Sequence, residues 1–248
     1  MGIELILVVA TMAAVLGVIY LRDRRRMLSA RAEKLAPCRQ LLEQPSEDIQ
    51  RDGFPEVRGF YRGYPVVVRV MTEALAVRKL PSLWLEATVL GDIPYRGTLD
   101  YLMRPHNVEF YSPSTWLEHR IRTPKDWPAR QATLRTDAPG EAPPLDVVRR
   151  HIGLFEDQRT KELVIAPKGV RFVYQADEGV RSHYLLLRQA YFDGGPVDGK
   201  LVRILLDAAI GVLEDLQTTQ EKANRAEEGG SAEAPVTGER EQYGRVSA

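Results

Sequence analysis

The chain has 248 residues, with 34 Lys+Arg balanced by 34 Asp+Glu, so its formal net charge is zero. That balance argues against a nucleic-acid-binding domain, which carries a basic excess, while a hydrophobic content of 44% is enough for a packed core. A single cysteine, Cys38, excludes an intrachain disulfide and any zinc site built on thiolates.

Ile3 to Leu21 is apolar apart from Glu4, Thr11 and small residues. As a helix rising about 1.5 Å per residue it just crosses a hydrocarbon layer of about 30 Å. A secretory signal places its basic residues before the apolar run and a small-residue cleavage motif after it. Here Glu4 occupies the leading position and the basic cluster, Arg22, Arg24, Arg25 and Arg26, comes afterwards. The order reads as an uncleaved anchor over 1–21, with the N-terminus outside and the body in the cytoplasm by the positive-inside rule. The same four arginines are the expected contact with anionic lipid headgroups. Arginine outnumbers lysine, as in GC-rich bacterial genomes, so the membrane is read as a bacterial inner or plasma membrane. "LAPC", Leu35 to Cys38, superficially resembles a lipoprotein box, but Pro37 precedes the cysteine and charged residues separate it from the apolar run.

Residues 22–53 read as a basic helical extension followed by a polar linker through "QPSEDIQRDG". The body is expected over 54–217. Strands are read in "EVRGFYRGYPVVVRV", with a tight turn at Arg62-Gly63, and less firmly in "ALAVRKL". "SLWLEATVLGD" alternates Leu83, Leu85, Ala87 and Val89 against Trp84, Glu86 and Thr88, the mark of a half-buried strand. "GTLDYLMRP" and "NVEFYSP" read as short strands. From Ser112 to Pro144 proline punctuation weakens the signal, and Trp127 is expected to pin this connection to the body. "PLDVVRRHIGLFED" places Leu145, Val148, Ile152 and Phe155 at helical spacing. "KELVIAP" and "GVRFVYQ" read as a strand pair, and the alternation in "SHYLLLRQAYF" as another strand. Leu201, Leu205, Ala208, Ala209, Val212 and Leu216 form the stripe of an amphipathic helix. Residues 218–248 lack large apolar side chains and read as a disordered tail.

Strands, helix, strands, helix, with no βαβ alternation, predict an α+β fold: a mainly antiparallel sheet of about six strands with two helices on one face, preceded by a transmembrane helix. His106, His119, His151 and His183 show no metal-ligand spacing, and no nucleophile, zinc-protease or phosphate-loop motif occurs. Asp92, Asp100, Glu109 and Asp146 are scattered. No cofactor or metal is expected. Four arginines within strand-like apolar runs, Arg58, Arg69, Arg171 and Arg188, form either the solvated side of a half-covered sheet or a sheet surface binding an anionic group or a peptide. The reading favours a non-enzymatic anchored domain that binds or organises a protein partner. The alternative is an enzyme of unknown class acting at the membrane surface.

Overall fold

The computed structural model describes residues 2–73, 80–105, 109–128, 131–187 and 189–231. Helix α1 (Gly2–Ala32) is followed by a 3-10 turn (Glu33–Leu35) and the short α2 (Cys38–Leu41). Then come β1 (Glu43–Ile49), β2 (Pro55–Tyr61), β3 (Tyr64–Thr72), β4 (Ser82–Leu90), β5 (Leu99–Met103), β6 (His119–Ile121) and β7 (Ala132–Thr136). The chain continues through α3 (Leu145–Arg149), β8 (Thr160–Ala166), β9 (Gly169–Glu178), α4 (Arg181–Leu187) and α5 (Gly199–Ser231).

The strands form one antiparallel sheet in the order β1-β2-β3-β4-β9-β8-β5-β7-β6. The α+β class therefore stands, but among the described residues the sheet has nine strands rather than six. Period-two alternation divides its residues between two faces. One face carries Val57, Val68, Val70, Leu85, Phe172, Leu163 and Tyr101, all buried in one core with Val202, Leu205, Ala209, Leu213 and Leu216 of α5. The two expected helical stripes both pack on this face: Val148, Ile152 and Phe155 join the same core, although the first helix stops at Arg149 and resumes as a 3-10 turn. Phe155 and Trp127 each meet the Tyr101 ring edge-on, at 4.8 and 4.9 Å, so Trp127 does fix the proline-rich connection to the body.

The β2–β3 hairpin turns at Arg62 and Gly63, with φ of 51° and 83°. Two positive φ values in a two-residue turn match the right-handed strand twist, and Gly63 adopts its value without a Cβ penalty.

The missed strands have identifiable causes. Strand β1, in the stretch read as a linker, is exposed along its whole length, so no side-chain pattern marks it. It is an edge strand paired only through β2, with an irregularity between Glu43 and Ser46 that accommodates Pro45. Strands β6 and β7 are short and lie among prolines at the opposite edge. Two expected strands are corrected. "NVEFYSP" is a turn over its described part, leading to a 3-10 turn at Pro113–Trp116. "SHYLLLRQAYF" lies in α4 as far as Leu187 rather than in a strand; β4 and β9 are already paired on both sides, leaving it no free neighbour there. The "ALAVRKL" run falls largely on 74–79, outside the described residues. Helix α5 runs on to Ser231, so 218–231, read as tail, are helical.

Candidate ligand-binding groove

On the face turned away from α5, the alternation that buries Leu83, Leu85 and Ala87 presents Trp84, Glu86 and Thr88 instead. Registry places Arg69 beside Glu86, Arg171 beside Thr88, and Glu56 beside Arg69. The result is a chain of ion pairs across β3, β4, β9 and β8, with a further pair on β2. Arg58 Nη2 lies 2.6 Å from Glu56 Oε1. Arg69 donates to Glu86, whose other oxygen lies 2.7 Å from Arg171 Nη1. Arg171 Nη2 lies 3.1 Å from Glu162 Oε2 and donates to the Tyr111 carbonyl at 3.1 Å.

Three of the four strand arginines expected from sequence, Arg58, Arg69 and Arg171, thus converge on one surface, each paired with a glutamate. Arg188 lies outside the described residues. The glutamates were not singled out from sequence, although the alternation that marked Trp84, Glu86 and Thr88 as one face carried the signal.

The connection after β5 lies over one side of this face. Tyr111 packs against Trp84 with ring centroids 5.0 Å apart. Burial, with the charges of Glu109 and Glu162, pushes its phenol up from the usual tyrosine range. Lys161 and Glu109 pair at 3.5 Å, both buried, beneath the connection. Between it and the hairpin strands lies an open groove of about 770 Å³. Four basic side chains (Arg58, Arg69, Lys168, Arg171) line it against two acidic ones (Glu56, Glu86). Phe110 and Trp116 stand at its border, and Trp116 is 83% exposed.

Below the Arg171 end lie Asp100 and Glu162, both with no exposed surface. Asp100 pairs with Val164 and Glu162 with Leu102 across β5 and β8, which places the two carboxyls on the same face as diagonal neighbours. Burial raises Asp100 from the ordinary 3.8 to about 6, against the nearby Ser114 hydroxyl and the charge of Arg171; neither carboxyl oxygen of Asp100 has a hydrogen-bond partner among the described residues. Burial and then the charge of Asp100 hold Glu162 well above the carboxylate range.

The described histidines do not meet. His119 lies exposed on β6, His151 bonds Asp215 of α5 at 2.8 Å, and His183 stacks on Tyr191. His106 falls outside the described residues. Asp92 pairs with Lys168 at 2.6 Å and Asp146 with Arg149 at 3.7 Å. Among the described residues no cluster of three or more His, Cys, Asp or Glu is arranged to hold a metal ion.

No protein-family model matches this sequence, and no curated protein matches it. One solved structure is similar. It is the crystal structure of the mycobacterial trehalose monomycolate transport factor A, TtfA, at 11% identity and a TM-score of 0.36. The match covers 77% of this chain and 95% of that one.

Helix α1 connects this body to a membrane-compatible segment. Its apolar residues from Ile3 to Leu21 are exposed along their length, with no protein partner among the described residues. It is long and apolar enough to cross a membrane, which is consistent with membrane anchoring and equally with a signal sequence. Arg22, Arg24, Arg25 and Arg26 are all exposed on the same helix. Its far end is built into the body. Arg31 donates to the carbonyls of Asp52 (2.6 Å) and Ala190 (3.1 Å) and lies over the Phe54 ring. Lys34 is buried against the carbonyls of Gly194 and Gly195, and Leu35 and Cys38 have no exposed surface. Burial pushes the Cys38 thiol up to about 12, so this residue is an inert core side chain and not an accessible site for acylation.

Proposed function

We propose that this chain is a single-pass, membrane-anchored binding module that holds a protein partner at the cytoplasmic face of the membrane. The open groove carries the reading. A mixed-charge floor with a basic excess, bordered by Phe110 and Trp116, suits an extended segment of a partner that brings an anionic side chain and an apolar one. Arginine offers a forked donor to a carboxylate, and the aromatic side chains supply contact area at low entropic cost.

The anchor follows from α1. The helix is unbroken from the apolar run to Ala32, and its last turn belongs to the body, so cleavage beyond Leu28 would remove groups that the fold uses. The basic cluster just past the apolar run favours a cytoplasmic body. Residues 22–32, at about 1.5 Å per residue, make a helical stem of about 16 Å between the membrane and the body.

Photo-crosslinking tests the groove. A crosslinker at half-buried Thr88, on the groove floor, is expected to give a discrete protein adduct in native membranes. Arg58→Glu at the exposed border is expected to weaken that adduct several-fold. No adduct from Thr88, or the same adducts from Lys200 on the opposite side, would count against the site. Orientation is read separately with a compartment-sensitive reporter after Ala248. Cytoplasmic activity is expected, and periplasmic activity would reverse the topology.

A further inference from the structure

We infer that the Arg171 end of the groove is proton-gated: proton uptake by the buried Asp100–Glu162 pair turns it from a neutralised floor into a site for a partner's carboxylate. The inference deepens the groove reading and rests on it.

Three observations carry it. First, the two carboxyls are built into the floor without the partners a buried charge needs. Asp100 and Glu162 have no exposed surface and are diagonal neighbours on β5 and β8. Both Asp100 oxygens and Glu162 Oε1 are buried with no hydrogen-bond partner among the described residues. Two carboxylates placed in this way repel each other and lack donors, and protons on the pair relieve both costs. The two groups titrate together, above the ordinary carboxylate range, with burial as the main cause.

Second, Arg171 joins the pair to the groove. Its side chain lines the groove and is 21% exposed. Nη1 reaches Glu86, Nη2 reaches Glu162, and Nε has no partner. With the pair ionised, Arg69 and Arg171 face three carboxylates, those of Glu86, Glu162 and Asp100. With the pair protonated they face Glu86 alone. The positive charge thus uncovered lies where Arg171 meets the groove, and its forked donors can take a carboxylate arriving from that side.

Third, the surrounding charges have their own engagements. Lys161 pairs with Glu109 at 3.5 Å, and Glu56 pairs with Arg58 at the groove border. Arg135 of β7, whose charge acts on Asp100, donates from Nη1 to the Leu117 carbonyl. The charges of Glu109 and Glu73 act on Tyr111, and with burial they hold its phenol protonated. Ser112 and Ser114 bring only hydroxyls. His119 lies exposed on β6, two strands beyond β5. A partner's carboxylate ionises at about 4, so it is already charged while Asp100, at about 6, is still protonated. Binding should tighten as pH falls through that window.

Trp116 supplies a probe of the charge in the groove. It is 83% exposed at the border, whereas Trp84 and Trp127 are 5% and 4% exposed, so collisional quenching of tryptophan fluorescence reports chiefly Trp116. The full chain in neutral detergent micelles is quenched with iodide and, separately, with uncharged acrylamide, at constant ionic strength. The iodide-to-acrylamide ratio is expected to be about two-fold higher at about pH 5 than at about pH 8, the Coulomb effect of one unit charge about 10 Å away across water. The Asp100→Asn/Glu162→Gln double variant is expected to hold the high ratio at both pH values. A ratio in the natural chain that does not change with pH overturns the inference. So does a response that persists in the double variant, which places the titrating group elsewhere, His119 included. A parallel rise with both quenchers reports opening of the structure and overturns it too. Should the double variant not fold, Asp100→Asn alone is compared, and a response as large as the natural chain's overturns the gate. The groove reading is judged apart, by the Thr88 crosslinker at the same two pH values. An adduct of equal yield at both keeps the groove and overturns the gate. No adduct at either pH removes the partner reading, while the quenching ratio still decides whether the Arg171 end is gated.

Discussion

Replacing Arg171 by methionine is expected to lower the folding stability of the full chain by about 3 kcal/mol at neutral pH, the scale for breaking a buried ion pair from one side. Arg171 bridges Glu86 and Glu162, whose side chains are 3% and 0% exposed. Methionine fills similar volume, so the loss is one of charge and hydrogen bonding rather than of packing. Glu86 keeps Arg69 as a partner, whereas Glu162 is left beside Asp100 with its cation gone. Two features separate this account from general disruption of the sheet. The loss should grow as pH rises and shrink on acidification, because Glu162, held well above the carboxylate range, needs the cation only when it ionises. Adding Glu162→Gln to the Arg171→Met chain should also recover stability beyond additivity, by about 1 kcal/mol or more for groups in direct contact. Urea unfolding in detergent micelles reads both, as a shift in midpoint at constant slope. A loss below about 0.5 kcal/mol, the size usual for surface changes, would show that the bridge contributes no more than an exposed pair.

The legibility of this fold followed burial. Strands β3 and β9, with one side more buried than the other, and β4 and β8, buried on both sides where half-burial was expected of β4, were visible as alternation or as runs of β-branched residues, and the α5 stripe was visible as helical spacing. Strand β1 was invisible because it buries no side chain and is held by backbone hydrogen bonds to β2, which leave no imprint on side-chain choice. Helix α4 was misread because a short apolar run fits either period when length does not arbitrate. The groove was half legible. Arginines among apolar residues marked the open face, and the alternation of β4 placed Glu86 on it. The pairing of Arg171 with Glu86 depends on register between β4 and β9, which lie far apart in sequence and share no local window. The burial of Asp100 and Glu162 beneath Ser112 and Ser114 depends likewise on a connection whose path the prolines obscured.

Asp100→Asn is expected to make the protein more stable above pH 6 by about 2 kcal/mol, an unusual direction for a change at a fully buried polar position. Burial is the main cause of the raised Asp100 value, about 6 against the ordinary 3.8. The folded state therefore holds this proton more tightly than the unfolded chain does. The associated stability is fully present below pH 3.8 and is lost as pH rises through about 6. Above that the ionised carboxylate sits in the core at a cost that two units would place near 3 kcal/mol, at about 1.4 kcal/mol per unit. Asparagine cannot ionise, keeps the shape of the side chain and adds an amide donor beside the unpartnered Glu162 oxygen. Its advantage over the natural chain should thus be small at pH 4, grow through pH 6 and level off by pH 8, as read from paired urea midpoints. It should also let Glu162 ionise more readily by removing the charge beside it. If Asp100→Asn is destabilising at pH 8, the carboxylate has a compensating cation there, with Arg171 or Arg135 the nearest source. If the gain appears, the natural chain retains a destabilising acid under the Arg171 end of the groove. Stability withheld at one buried polar position beside a binding surface is the pattern of a residue kept for what the surface does.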